Sequence, residues 1–136
     1  FAITSYIKSK GGKCRVYTAP FGVQLNDKKD TVLEPDISVI CDTDKLTSRG
    51  CVGAPDWIIE IASPSNPSHD YITKLNLYHE AHVREYWIVD DQSSQVLVYN
   101  MASGQFVMKA YSFTDTIKAG IFDDLYINFS SLDLGI

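Results

Sequence analysis

The stretch Asp56-Trp57-Ile58-Ile59-Glu60-Ile61-Ala62, followed by Ser63-Pro64-Ser65-Asn66-Pro67, decides how this chain is built. The apolar run is short and rich in β-branched and aromatic residues, and a Ser/Pro cluster ends it, so it reads as a buried strand rather than a helix. Strand side chains alternate between faces. Asp56, Ile58, Glu60 and Ala62 therefore share one face, and Trp57, Ile59, Ile61 and Ser63 the other. Glu60 is a carboxylate in a strand that is otherwise apolar on both sides. Burying it unpaired would cost on the order of several kcal/mol, so a cation should face it, either a metal ion or a lysine.

Downstream, Asn66 suits an N-cap and Pro67 a first helical position, which predicts a helix from about Pro67 to about His82. Tyr71, Leu75, Tyr78 and Ala81 or His82 fall on its inward face. Lys74 stands between Tyr71 and Tyr78 at helical spacing and belongs to the rim of that face. Beyond it, Glu85 to Val89, Gln95 to Tyr99 and Gln105 to Tyr111 read as antiparallel strands, with turns at Gln92-Ser93-Ser94 and Ala102-Ser103-Gly104. Upstream, Ile37 to Cys41 is a second short apolar strand that opens just after Pro35-Asp36. Cys14 to Tyr17 and Gly22 to Leu25 read as an interrupted strand or two short ones. Ile3, Tyr6 and Ile7 mark a first helix that stops at Lys10-Gly11-Gly12. The order α-β-β-β-α-β, with further C-terminal strands, indicates an α/β (α+β) domain: a mixed sheet flanked by helices.

A chain of 136 residues with 45% apolar residues fits one domain over residues 1–136. No apolar run approaches the roughly 18 residues that span a bilayer, and the start lacks a signal-peptide pattern, so a cytoplasmic protein with no membrane association is expected. Cys14, Cys41 and Cys51 are odd in number and form no CxxC pair, which predicts free thiols. The net charge of −5 has the wrong sign for holding nucleic acid by bulk electrostatics. Its distribution is uneven: residues 1 to 29 hold six cations against one acid, +5, and the remainder is −10. A cationic end could meet a polyanion while an acidic body binds a metal; a solvated basic helix face explains the same charges.

Three residues could do chemistry together. Asp36, at the entrance of its strand, can stand beside Glu60 on a neighbouring strand, and two such carboxylates are an oxygen-ligand set for Mg²⁺ or Mn²⁺. Lys74 could orient the attacking water and offset charge on phosphorus. Each also has a plainer reading: Asp36 as a turn acid, Glu60 as half of an ion pair with Lys74, and Lys74 as a surface lysine pairing with Asp70. Gln24, Ser63 and Asp56 are candidates to line the cleft, although Asp56 lies about 13 Å along the strand from Glu60, too far to share an ion. His79 and His82, at i and i+3, lack a local carboxylate or cysteine and read as helix surface, and His69 as a first-turn polar residue. Trp57, Trp87, Tyr86 and Tyr99 read as core.

The runs Glu34-Pro35-Asp36-Ile37-Ser38-Val39-Ile40-Cys41-Asp42 and Gly53-Ala54-Pro55-Asp56-Trp57-Ile58-Ile59-Glu60-Ile61-Ala62-Ser63-Pro64-Ser65, then Asp70, Lys74 and Tyr78, then Val83-Arg84-Glu85-Tyr86-Trp87-Ile88-Val89-Asp90, resemble the Uma family of restriction endonucleases, within the PD-(D/E)xK superfamily. The likeness spans about Pro20 to Tyr99. It implies a restriction-endonuclease-like fold, divalent-metal-dependent hydrolysis of a nucleic acid, DNA first, and catalytic roles for Asp36 and Glu60 as the metal-binding pair. Ala62 stands where the D/E-x-K motif has its lysine, and Lys74 is the substitute on the following helix. Family members also carry an additional N-terminal acidic motif, a segment this chain is expected to lack. A catalytically inactive nuclease-fold module for protein or nucleic-acid interaction is the alternative, and a homodimer through an exposed sheet edge is compatible with either.

Overall fold

The computed structural model describes residues 2–10, 12–25, 32–62 and 68–129. Among the described residues are three sheets, two α-helices and two short 3-10 turns. The large sheet has six strands: β1 (Arg15–Thr18), β4 (Ile37–Ile40), β7 (Trp57–Ala62), β8 (Glu85–Asp90), β9 (Gln95–Asn100) and β10 (Val107–Ser112), in that spatial order. Every neighbouring pair is antiparallel except β7–β8, which runs parallel. A parallel pair needs a crossover, and helix α2 (Ser68–Glu80) supplies it. Helix α1 (Ala2–Lys10) precedes β1.

Strand phase sorts the core into two layers, as the alternation in β7 predicts. Trp57 and Ile59 pack with Ile3 and Ile7 of α1, Trp87, Val89, and a C-terminal hairpin, β11 (Thr116–Lys118) with β12 (Tyr126–Asn128). Ile58 packs with Tyr71, Leu75 and Tyr78 of α2 and with Tyr86 and Ile88 on the opposite face. The helix ends at Glu80, and Val83 rather than His82 completes its buried side.

Four short strands, of which the sequence reveals only the one at Gly22, form a separate sheet on the α2 side, in the order β3 (Val32–Leu33), β2 (Gly22–Gln24), β6 (Gly50–Val52), β5 (Leu46–Thr47). Strands of two or three residues carry too little periodicity to read. The β2–β6 pair depends on glycine: a Cβ on Gly50, whose φ is +138°, would lie 2.2 Å from the Gly22 carbonyl oxygen. The segments 14–17 and 22–25 are thus two strands of different sheets.

The expectation of free thiols is corrected for two of the three cysteines. The β1–β4 register pairs Arg15 with Ile40, which puts Cys14 opposite Cys41, and the two form a disulfide across Cα atoms 3.9 Å apart. An odd count cannot show that two of three residues face each other across a ladder. Cys51 remains a free, buried thiol, its pKa pushed up to about 11 by burial. Among the described residues no helix is long and apolar enough to cross a membrane.

Candidate active site

Glu60 sits near the C-terminal end of β7, only 3% exposed, on the face covered by α2. Asp36 immediately precedes β4, and the β4–β7 pairing of Ile37 with Ile59 brings it alongside Glu60. The two acids fasten each other's strands. Glu60 Oε1 accepts from the Asp36 backbone N–H at 3.3 Å, and Asp36 Oδ2 accepts from the Ile61 N–H at 2.7 Å. Lys74 projects from the second turn of α2 and places its amine 2.8 Å from Glu60 Oε2. At that distance the contact is a charge-assisted ion pair between amine and carboxylate. The lysine side chain keeps about a third of its surface exposed (32%), and its amine also lies 5.7 Å from the centre of the Tyr71 ring.

The electrostatics follow from this packing. Burial raises the Glu60 pKa; the hydrogen-bonding and positive charge of Lys74 oppose that, and the negative charge of Asp36 adds to it. Beneath the site the phenols of Tyr78 and Tyr86 are fully buried and meet edge to face at 4.9 Å. Burial, reinforced by the charge of Glu60, pushes both hydroxyls above the usual tyrosine range. They stay neutral donors at any working pH.

The donor set fits a hard divalent cation. Asp36 Oδ1 has no hydrogen-bond partner among the described residues, and Glu60 Oε2 meets the exchangeable amine of Lys74. Those oxygens could serve Mg²⁺ or Mn²⁺, which fill their remaining positions with water and phosphate oxygens. Among the described residues no cluster of three or more His, Cys, Asp or Glu is placed to hold a metal.

The remaining candidates lie elsewhere. Asp56 stands at the other end of β7, where its Oδ2 accepts from Cys41 N–H at 2.7 Å and its Oδ1 pairs with Arg84 at 3.3 Å. It braces the strand ends. Gln24 lies on β2, with its carbonyl accepting from Gly53 N–H at 2.8 Å, and lines an open cleft of about 470 Å³ on the small sheet together with Thr47 and Arg49. Ser63 and Asn66, and the side chains of His69 and Asp70, lie outside the described residues. His79 and His82 are exposed, and His79 meets Phe106 edge-on at 4.8 Å. The basic helix α1 packs on the sheet face opposite Glu60, and its Lys10 pairs with Asp124 at 2.9 Å.

Sequence reasoning passed over one buried acid. Glu85, 1% exposed at the start of β8, accepts from the Trp87 indole N–H and from Ile121 N–H at 3.0 Å, with the Gly120 backbone also bonding to it. The signal was available: Glu85, Trp87 and Val89 alternate on one face of an apolar strand, as the residues around Glu60 do.

A family model described as "Uma2: Putative restriction endonuclease" matches residues 1–129. The chain belongs to the Uma2 family. An uncharacterized protein of Synechocystis sp. is 26% identical over 110 residues, covering 79% of this chain and 57% of its own length, so the chain spans little more than half of that relative. A crystal structure described as a putative nuclease belonging to DUF820, from Anabaena variabilis, superposes with a TM-score of 0.74 at 20% identity, covering 95% of this chain and 72% of that one. At that identity the likeness bears on architecture, and it bears out the α+β fold with a large mixed sheet for this Uma2 domain. Membership of Uma2 supports a nuclease-like function.

Proposed function

We propose that this Uma2 domain is a divalent-metal-dependent endonuclease that hydrolyses phosphodiester bonds, with DNA as the substrate class. The observation that carries the reading is the convergence of Asp36, Glu60 and Lys74 from three different elements on one spot at the rim of the large sheet. Asp36 and Glu60 would hold the cation. When bound, a Mg²⁺ or Mn²⁺ ion would polarise the phosphate and make a water a better nucleophile. Lys74, fixed on a helix and partly exposed, can release Glu60 to a cation and turn its amine to the charge that builds on the phosphate oxygens. Water would add to phosphorus and give up a proton to solvent, the bond to the leaving oxygen would break, and that oxygen would take up a proton in turn.

Two copies acting together would suit cutting of both strands. Among the described residues β10 is an edge strand of the large sheet, and its outer side, where Val107 and Met108 are half exposed, offers backbone donors and acceptors for such pairing.

One observation favours the catalytically inactive module: Lys74 already neutralises Glu60, which completes an ion pair with no metal. Plasmid cleavage in Mg²⁺ or Mn²⁺ separates the two. Cutting that falls by roughly 10³-fold or more in Glu60→Gln and Lys74→Ala, with folding intact by circular dichroism, supports the enzyme. Variants that cut as well as the parent would show that these residues do not carry it.

A further inference from the structure

On the face that bears Glu60, cross-strand neighbours form parallel rows. One runs from Asp36 through Glu60 and Ile88 to Leu97, and the next runs Ser38, Ile58, Tyr86, Tyr99. Helix α2 closes over them with Tyr78, its ring edge against Tyr86. In this one layer the hydroxyls of Ser38, Tyr78 and Tyr86 are wholly shielded from solvent and have no hydrogen-bond partner among the described residues.

That arrangement is unusual. Buried polar groups are nearly always paired, and each one left alone costs about 1–3 kcal/mol. Tyrosine hydroxyls enter a core where a partner awaits them, or the position is filled by phenylalanine. Tyr86 stands two positions along β8 from Ile88, the cross-strand partner of Glu60, and Tyr78 lays its ring against Tyr86, so both phenols share the layer that holds the carboxylate. Internal water, which makes about three hydrogen bonds to such orphaned groups, is the ligand of matching size and chemistry. The indole N–H of Trp57 is also unpartnered, but it belongs to the other face of the sheet and plays no part.

We propose that Tyr78 and Tyr86 are positioning residues: their hydroxyls bind an internal water behind Glu60, and that water fixes the carboxylate in the orientation that receives a cation. The proposal rests on the reading of Asp36 and Glu60 as the metal-binding pair. The water bonds to Glu60 Oε2 beside the Lys74 amine, and so keeps that oxygen oriented when the lysine leaves. Outer-shell groups of this kind tune metal affinity through the ligand they hold.

Two measurements on the full chain test it. The first is a high-resolution crystal structure without metal, which should show an ordered water within hydrogen-bond distance of both phenol oxygens and of Glu60. Hydroxyls bonded to other groups, with no such water, would overturn the proposal. The second is Mn²⁺ calorimetry on Tyr78→Phe and Tyr86→Phe. Affinity should fall roughly 10-fold in each while the melting temperature holds or rises, because a merely structural hydroxyl would move stability and leave metal affinity alone. Unchanged Mn²⁺ affinity in both variants would also sink it. If the parent chain takes up no Mn²⁺, the metal reading of Asp36 and Glu60 fails, and the crystal structure alone still decides whether the tyrosines hold a water on Glu60.

Discussion

Glu60 and Glu85 are both buried glutamates on adjacent, parallel strands, both with pKa values raised by burial, yet they are different objects. Glu85 points into the layer formed by α1 and the C-terminal hairpin and is saturated with donors: the Trp87 indole and the backbone of Gly120 and Ile121. Glu60 points into the layer under α2, holds one backbone N–H, and meets a lysine that has somewhere else to go. Burial and a shifted pKa do not by themselves mark a functional acid. What separates the two is coordination: Glu85 has both oxygens bonded by fixed groups of the fold, and Glu60 keeps an oxygen whose present partner is exchangeable.

The contrast can be broken by substitution. Glu85→Ala should cost about 2–4 kcal/mol in chemical denaturation, because it leaves the indole and backbone donors without an acceptor in the core. A loss under about 0.5 kcal/mol would mean that Glu85 is not the fastener described. Next in size is Gly120→Ala. Its new Cβ would sit 2.8 Å from both Glu85 Oε1 and Asn100 Nδ2, so the buried Glu85 carboxylate or the turn must shift, at a cost of about 1–3 kcal/mol by the same assay.

The smallest effect, opposite in sign, belongs to Glu60→Gln. A carboxyl whose folded pKa is raised above its unfolded value contributes stability that is fully present below the unfolded pKa and is lost as pH rises through the folded value. Removing the charge should therefore raise the melting temperature by roughly 2–4 °C near neutral pH, and the gain should vanish below the ordinary glutamate range. A melting difference that stays constant from pH 4 to pH 8 would contradict the assigned cause.

The parts of the molecule that were legible in the sequence are those with strong local periodicity. Trp57 to Ala62 alternates cleanly, α2 repeats its apolar residues at helical spacing, and β8 to β10 are separated by recognisable turns. These elements also carry Glu60 and Lys74, so that half of the site could be placed from phase alone. Asp36 could be placed only as far as its strand entrance. The small sheet was hidden because β3 and β5 have two residues each and depend on distant partners. The Cys14–Cys41 bond was hidden for a related reason, since it follows from a strand pairing between residues 27 apart in sequence. Glu85 was readable by the logic applied to Glu60, but its position beside Arg84 at the mouth of a strand looked like an ordinary polar boundary.

The reciprocal hold between Asp36 and Ile61, and between Glu60 and Asp36, reaches past chemistry. These carboxylates extend the β4–β7 ladder beyond its last regular pairing, so each acid is a rung of the sheet as well as a candidate ligand. Selection on folding alone would retain Asp36, whose carboxylate holds the Ile61 N–H, but would retain Glu60 and Lys74 only together, because Glu60 without its cation is an unpaired buried charge. A descendant of this domain that had stopped cutting and turned to another task would be free to exchange that pair for uncharged residues while it kept Asp36. Among Uma2 sequences, then, Glu60 and Lys74 should be present or lost as a unit.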